Sequence, residues 1–229
     1  MSKTSIRTIA ALAFALAACR AEPAADFPEA HRPVAPIVAD AYSTEDARDR
    51  VGEAELVIAF AGVKPGMQVA DIGAGEGYYT VRLSPVVGPK GRVLAQDIIP
   101  ETRDRLAGRV QRESLGNVAV RLGAADDPML PPNSFDRIFL VHMYHEVASP
   151  YAFLWNLRTG LKPDGVVVVV DADRPIERHG TPPKLLACEF ASVGLEPVKS
   201  APIEGTDSYI TLFRAARVRP EPGAIKPCA

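Results

Sequence analysis

The first residues that could do chemistry are an acid and three glycines that directly follow a short apolar run. Asp71, Gly73, Gly75 and Gly77 come at the end of the stretch Gln68-Val69-Ala70-Asp71-Ile72 and before a helical segment. Glycines let the backbone approach a ligand to van der Waals distance, which a Cβ would prevent. A strand-to-helix turn of this kind lies at the ligand-binding crevice of an open parallel sheet. This segment, the glycine loop (residues 71–77), therefore predicts a ligand site.

A second group of reactive side chains follows a later apolar run. His142, His145 and Glu146 leave the predicted strand at residues 135–141 from its carboxyl end, which is the same edge of the sheet. Histidine exchanges a proton near neutral pH, so His142 or His145 could take a proton from an oxygen, nitrogen or sulfur atom of a substrate. Alternatively, these residues only shape the pocket, with Glu146 capping the next helix. Zinc binding by the three side chains is a poorer alternative, because no further ligand is obvious.

The elements that must position these residues are short apolar runs alternating with helical stretches. The runs typical of buried strands cover residues 68–72, 92–97, 118–122, 135–141 and 166–170, the last being five consecutive valines. A final antiparallel pair is expected at Val198 and residues 210–213. Alternation of this kind predicts an α/β fold with a doubly wound, mostly parallel, seven-stranded Rossmann-like sheet and an antiparallel final strand.

The first predicted helix begins at a cap on Ser43 or Thr44 and continues to about Ala61. A later helix is predicted over residues 151–161 and should end before a turn at residues 163–165. The whole domain is expected to cover residues 42–218.

With these elements in place, the chain resembles the class I S-adenosylmethionine-dependent methyltransferases that act on small molecules, over about residues 43–216. The resemblance rests on the D-x-G-x-G-x-G pattern of the glycine loop and on the acid Asp97 at the end of the second strand. It also rests on residues 130–136 and 161–166, which match the family's entries into strands four and five. These motifs occur in the family's order, and together they are specific.

The resemblance implies S-adenosylmethionine as the cofactor. In this family the glycine loop wraps the methionine part, and Asp97 would hold the two ribose hydroxyls. A carboxylate suits a vicinal diol because it can accept two O–H hydrogen bonds. Ile98 would lie on one face of the adenine. Asp126 or Asp127 would accept a hydrogen bond from the adenine amine, and Asp126 is our choice.

The N-terminus has the anatomy of a secretory signal peptide over residues 1–18. Lys3 and Arg7 precede an apolar stretch at residues 8–18, which would span only about 16 Å as a helix and is too short to cross a bilayer. Its end, Leu16-Ala17-Ala18-Cys19, resembles the lipobox of bacterial lipoproteins. That resemblance implies lipidation of Cys19, a membrane anchor and a periplasmic location, most simply at the outer membrane. Residues 19–41 would be an extended tether.

Two other functions stay open. S-adenosylmethionine is made in the cytoplasm, so an exported chain could be a non-catalytic ligand-binding module on a methyltransferase fold. A nicotinamide-linked oxidoreductase is disfavoured, since Tyr78 occupies the position where the dinucleotide fingerprint has its third small residue. The formal net charge of −2 argues against a nucleic-acid partner.

Composition and cysteine usage complete the picture. Hydrophobic residues at 47% and charged residues at 24% are typical of a globular chain. Residues 219–229 are proline-rich and polar, and we expect a disordered tail there. The favoured interpretation of Cys188 is a core thiol and that of Cys228 an incidental one, although a bridge between the two is possible in an exported protein.

Overall fold

The computed structural model describes residues 26–37 and 45–228. Its centre is a sheet of seven strands in the spatial order β3-β2-β1-β4-β5-β7-β6. The strands are β1 (Gln68–Ile72), β2 (Arg92–Asp97), β3 (Val118–Leu122), β4 (Phe135–Val141), β5 (Leu161–Ala172), β6 (Leu195–Pro202) and β7 (Ser208–Ala215). The first five pair in parallel, and β7 runs antiparallel to both β5 and β6. The predicted doubly wound, mostly parallel sheet is confirmed.

Helices cover both faces of this sheet. They are α1 (Glu45–Arg50), α2 (Glu53–Phe60), α3 (Tyr78–Val87), α4 (Pro100–Arg112), α5 (Pro150–Thr159) and α6 (Pro183–Ser192). Side chains of α2 and α3 form one apolar layer that includes Val168, and side chains of α5 and α6 form a second that includes Val169. The five-valine run is therefore buried on both sides, as its composition predicts. No helix within the described ranges combines the length and apolar character that crossing a membrane requires.

The register of the strands brings their carboxyl ends to one edge. Ile72 of β1 lies beside Gln96 of β2 and Leu140 of β4, and Val141 of β4 lies beside Val170 of β5. The segments that leave these four strands must therefore meet at this edge. The glycine loop and the loop that carries the histidines are two of them.

Two predicted element boundaries are wrong. The first helix is divided in two by Gly52, which adopts a left-handed conformation at the start of α2. Strand β5 begins at Leu161, where a turn was expected to follow a helix. Three extra residues bulge from β5, because Phe135 pairs with Leu161 whereas Arg137 pairs with Val166.

The C-terminal segment is ordered over residues 219–228, which corrects the expected disordered tail. Arg219 stacks 3.3 Å from the centre of the Trp155 ring on α5, and the Trp155 indole N–H donates to the carbonyl of Pro220 at 2.9 Å. These contacts hold Cys228 against α6, where it forms a disulfide with Cys188 across a Cα–Cα distance of 6.1 Å. The preference for free thiols was wrong because the aromatic anchor on α5 was not recognised.

Part of the segment expected to be a tether packs on the domain. Phe27 meets Trp155 edge to face at 5.6 Å, and the buried Arg32 side chain is paired with Glu189 of α6 at 2.8 Å. The amide N–H of Ala35 donates to the carbonyl of His145 at 3.0 Å. Residues 26–37 therefore reach the predicted site. The predicted signal peptide, Cys19 and the caps Ser43 and Thr44 lie outside the described residues.

Candidate active site

The glycine loop turns sharply from β1 into α3. Gly73 and Gly77 have φ angles of +67° and +91°, which favour glycine over residues with a side chain. A Cβ on Gly73 would also lie 2.9 Å from the Met143 side chain. Asp71 is almost fully buried at the end of β1 and accepts a 2.6 Å hydrogen bond from the Thr80 hydroxyl. Burial raises the pKa of Asp71 to about 6.

Asp97 ties the end of β2 to the glycine loop. One carboxylate oxygen accepts from the amide of Gly75 at 3.0 Å, and the other accepts from the amide of Ile99 at 2.9 Å. Ile98 lies beside it on the wall of a cleft. Gln96 lines the same cleft, and its buried side-chain oxygen has no hydrogen-bond partner among the described residues. A ligand with N–H or O–H donors would satisfy this oxygen, so the site fits a nucleoside-bearing cofactor.

Of the predicted cofactor residues, Asp71 and Gly77 belong to the glycine loop but do not line the cleft, and neither does Asp126. Its side chain is exposed, and Ala124 and Ala125 line the cleft at this point. The loop turns away because the Asp127 carboxylate accepts from the Met129 amide at 2.6 Å. The spacing of residues after β3 does not reveal this turn, so the sequence alone placed Asp126 at the cleft.

His142 faces α2 on the opposite side of the cleft from β5. Its ring nitrogen Nε2 lies 3.1 Å from Glu53, which also accepts hydrogen bonds from Arg48 at 2.6 Å and from the Tyr79 hydroxyl at 3.1 Å. Burial alone would raise the pKa of Glu53, but His142 and Arg48 outweigh it and lower that pKa to about 2. A φ of +52° at His142, in the left-handed region that costs about 1–2 kcal/mol, turns the ring this way. His142 therefore joins the wall formed by α1 and α2.

His145 points in the other direction, toward the end of β5. It is 3% exposed, and its Nδ1 lies 3.0 Å and 3.2 Å from the two carboxylate oxygens of Asp171. Asp171 is fully buried and also accepts from the Thr181 hydroxyl at 2.7 Å and the Ala172 amide at 2.8 Å. The carboxylate fixes the imidazole ring, so that Nε2 is the nitrogen left for a ligand.

Two side chains of this site, Asp171 and His179, are not among the residues predicted from the sequence. The His179 ring meets the His145 ring edge to face, with ring centres 5.4 Å apart. Burial, together with His145 and Arg174, lowers the pKa of His179. A usable signal was present, since Asp171 directly follows the valine run and must lie at the same sheet edge as Asp97. The valine run predicts a buried core strand, and the same run also places the residue that follows it at the ligand edge.

One cleft of about 640 Å³ joins these groups. The residues around the glycine loop form one end, and His145, Glu146 and His179 line the other. The wall between them is partly apolar, with Met143, Val147 and Phe153 among its side chains. This size and mixture of surfaces are typical of sites for small organic molecules.

Comparison with known proteins gives the same result for the family. Residues 70–169 match the family model described as a methyltransferase domain. The ubiquinone/menaquinone biosynthesis C-methyltransferase UbiE of Shewanella piezotolerans is 30% identical over 178 residues, which are 75% of this chain and 67% of that protein. The enzyme of the same name from Ectopseudomonas mendocina is 29% identical over 176 residues, 75% of this chain and 66% of that protein.

A solved structure of similar fold is a SAM-dependent methyltransferase from Aquifex aeolicus. It is 26% identical and superimposes with a TM-score of 0.68 over 73% of this chain and 92% of that one. The matched residues include the glycine loop, Asp97 and most of β5, the strand that contains Asp171. Sequence, sheet order and cleft agree, and the chain belongs to the class I S-adenosylmethionine-dependent methyltransferases.

Proposed function

We propose that this methyltransferase acts on a small organic acceptor bound at the His145 end of the cleft. The observation that carries the proposal is the buried His145–Asp171 pair, which faces the same cleft as the glycine loop. A cofactor at one end and a fixed imidazole at the other would hold the methyl group between the cofactor and the acceptor. The quinone biosynthesis named for the relatives is small-molecule chemistry, which supports an acceptor of this class.

Backbone groups and a carboxylate would form the cofactor end of the cleft. S-adenosylmethionine supplies an electrophilic methyl group on a sulfonium centre. The backbone of Gly73 and Gly75 would line its methionine part, and no described atom lies within 4 Å of where a Cβ on Gly75 would be. Each oxygen of Asp97 uses one lone pair on a backbone N–H and keeps another for a ribose hydroxyl. The unpaired oxygen of Gln96 offers an acceptor for the adenine amine in place of Asp126.

At the acceptor end, His145 would take the proton that the acceptor atom loses on methylation. Asp171 holds the ring in one orientation and stabilises the imidazolium that forms, so Nε2 is presented to the cleft. The apolar wall would bind the body of the acceptor. Its reacting group would be an oxygen, nitrogen or sulfur atom, or a carbon atom as in the reaction named for the relatives. Positioning supplies much of the rate, because methyl transfer needs an in-line approach.

A location outside the cytoplasm is part of the proposal. The Cys188–Cys228 disulfide supports it, since such bonds persist in oxidising compartments and are rare in the cytosol. The proposed anchor is a lipid on Cys19. Cys19→Ser should release the protein from membranes or block its processing. A mature wild-type N-terminus that is not an acylated cysteine would contradict the anchor.

The function is tested by binding and then by turnover. Calorimetric titration with S-adenosylmethionine and S-adenosylhomocysteine should show one site per chain, whereas NAD should not bind. Incubation with methyl-labelled cofactor and a panel of phenols, thiols and amines should then transfer label to at least one compound. Binding without transfer to any class in the panel would favour the non-catalytic module, and no binding would overturn the cofactor assignment.

A further inference from the structure

Three possible metal ligands converge at the acceptor end of the cleft. His145, Glu146 and His179 each offer a ligand atom, and these atoms lie within 4.8 Å of one another. His145 is buried, and the other two residues are half-buried on the cleft wall. We propose that this cluster, the His–Glu–His cluster, binds a divalent transition-metal ion, with zinc as the ion that best suits its donors.

The donor set matches the chemistry of zinc rather than that of magnesium or calcium. Two imidazoles and one carboxylate, with a further position open, are a ligand set of catalytic zinc sites, whereas magnesium and calcium prefer oxygen ligands. Zinc bonds of about 2.0–2.1 Å in a tetrahedron place ligand atoms about 3.4 Å apart. The atoms of the cluster therefore need to approach one another by at most about 1.4 Å to bind one ion.

The surroundings of His145 independently favour a metal-binding role for its ring. A histidine that binds a metal almost always donates its other ring N–H to a carboxylate, a carbonyl or water, which fixes the ring. Asp171 is placed for this role, since it meets Nδ1 of His145 at 3.0 Å and is itself fully buried. The Thr181 hydroxyl and the Ala172 amide donate to its oxygens in turn. These hydrogen bonds hold Nδ1 of His145 against Asp171, which leaves Nε2 of His145 directed to the His–Glu–His cluster.

The backbone also brings His179 into place. It has a φ of +58°, directly after the short 3-10 helix Ile176–Arg178. This left-handed conformation is costly for a residue with a side chain and turns the ring toward His145. The two rings meet edge to face at an interplanar angle of 87°. Ligand atoms of the two rings lie within 4.8 Å of each other, so the rings can share one ion after a small adjustment.

A bound ion would change how the acceptor is activated. Nε2 of His145 takes the acceptor's proton in the metal-free protein, but it would be a ligand once the ion is bound. An acceptor hydroxyl or thiol in the open coordination position would have its pKa lowered by the ion, and its proton would go to water. The cluster itself does not depend on methyl transfer, so metal binding can be tested without cofactor or acceptor.

The test uses the protein produced without a histidine tag and dialysed against EDTA. Titration with zinc chloride and with cobalt chloride should each give one bound ion per chain, and cobalt should develop the visible d–d absorption of a four- or five-coordinate site. Glu146→Gln and His179→Ala should each weaken binding by at least tenfold, and Asp171→Asn by about 10- to 100-fold. His142→Ala is the matched control, since it removes a histidine of the same loop that pairs with Glu53, and its affinity should match wild type.

Each outcome has a defined meaning. No binding at micromolar metal, or equal affinity in Glu146→Gln, His179→Ala and wild type, would overturn the proposal. Circular dichroism identifies any variant that fails to fold, and Glu146→Gln keeps the size of the side chain if His179→Ala is lost. Calorimetry with S-adenosylhomocysteine on the same EDTA-treated sample separates the two proposals. Retained cofactor binding without metal binding refutes the metal site alone.

Discussion

Replacing Asp97 with alanine should weaken the binding of S-adenosylhomocysteine by about 30- to 900-fold. Each carboxylate oxygen accepts one backbone N–H, from Gly75 at 3.0 Å or Ile99 at 2.9 Å, and keeps a lone pair for one ribose hydroxyl. Hydrogen bonds to a charged group contribute about 1.5–3 kcal/mol each. Water can enter part of the space, so we expect a loss of about 2–4 kcal/mol, which corresponds to that change in Kd.

The assay must separate lost ribose contacts from a disturbed loop. Calorimetry on wild type and Asp97→Ala should therefore use S-adenosylhomocysteine and its 2′-deoxy analogue. Wild type should discriminate strongly between the two, and the variant should bind both with similar affinity. Asp126→Ala is the control, because that side chain is exposed and outside the cleft. Unchanged affinity in Asp97→Ala, or discrimination that survives in it, would refute the assignment.

Three further predictions concern pH, the disulfide and the imidazole. Asp71 has a pKa raised to about 6, and a cationic cofactor prefers its ionised form, so affinity for S-adenosylmethionine should fall about tenfold from pH 7.5 to pH 5. Calorimetry should give a nearly flat profile for Asp71→Asn, and a tenfold fall in that variant would contradict the role of Asp71. Cys228→Ser should lower the free energy of unfolding by about 2–4 kcal/mol in urea titrations, because it opens a loop of 40 residues, and reduced wild type should lose as much. His145→Ala should lower methyl transfer to the acceptor found in the panel by about 10²–10⁴-fold with little change in cofactor affinity, whereas turnover within threefold of wild type would show that the ring only lines the pocket.

The parallel part of the sheet could be predicted from the sequence, because a strand that is buried on both faces has a continuous run of apolar residues. The strand at residues 166–170 carries apolar side chains at successive positions, since Val168 and Val169 enter different apolar layers. The sheet edge then followed from topology, and it located Asp97 and the histidine loop without any side-chain geometry. Apolar runs and the alternation of strands and helices were sufficient here, because both are read from residues that are neighbours in the sequence.

Contacts between distant segments could not be predicted in the same way. The disulfide depends on Trp155 holding the segment from Arg219 to Pro220, and no periodicity links positions so far apart. Asp126 was misplaced for a related reason, because the turn after β3 is set by the Asp127 side chain rather than by spacing. The direction of each histidine was also beyond the sequence, since it depends on the backbone conformation at His142.

Because of that conformation, the two histidines of the loop face different parts of the cleft. His142 turns toward Glu53 and closes the wall formed by α1 and α2, whereas His145 turns toward Asp171 and the acceptor end. Tyr144, one of the two residues between them, is fully buried and donates a 2.7 Å hydrogen bond to Glu189 on α6.

Glu189 connects the histidine loop to the Cys188–Cys228 disulfide. It is the neighbour of Cys188 in the disulfide, and it also binds Arg32, whose guanidinium reaches the carbonyl of Val147 at 3.1 Å. The N-terminal segment, the disulfide and the histidine loop therefore converge on one buried carboxylate. Removing that carboxylate would leave the Arg32 cation and the Tyr144 hydroxyl without their buried partner, a cost of about 3–5 kcal/mol for the ion pair alone. The order of the acceptor end thus depends on segments at both ends of the chain.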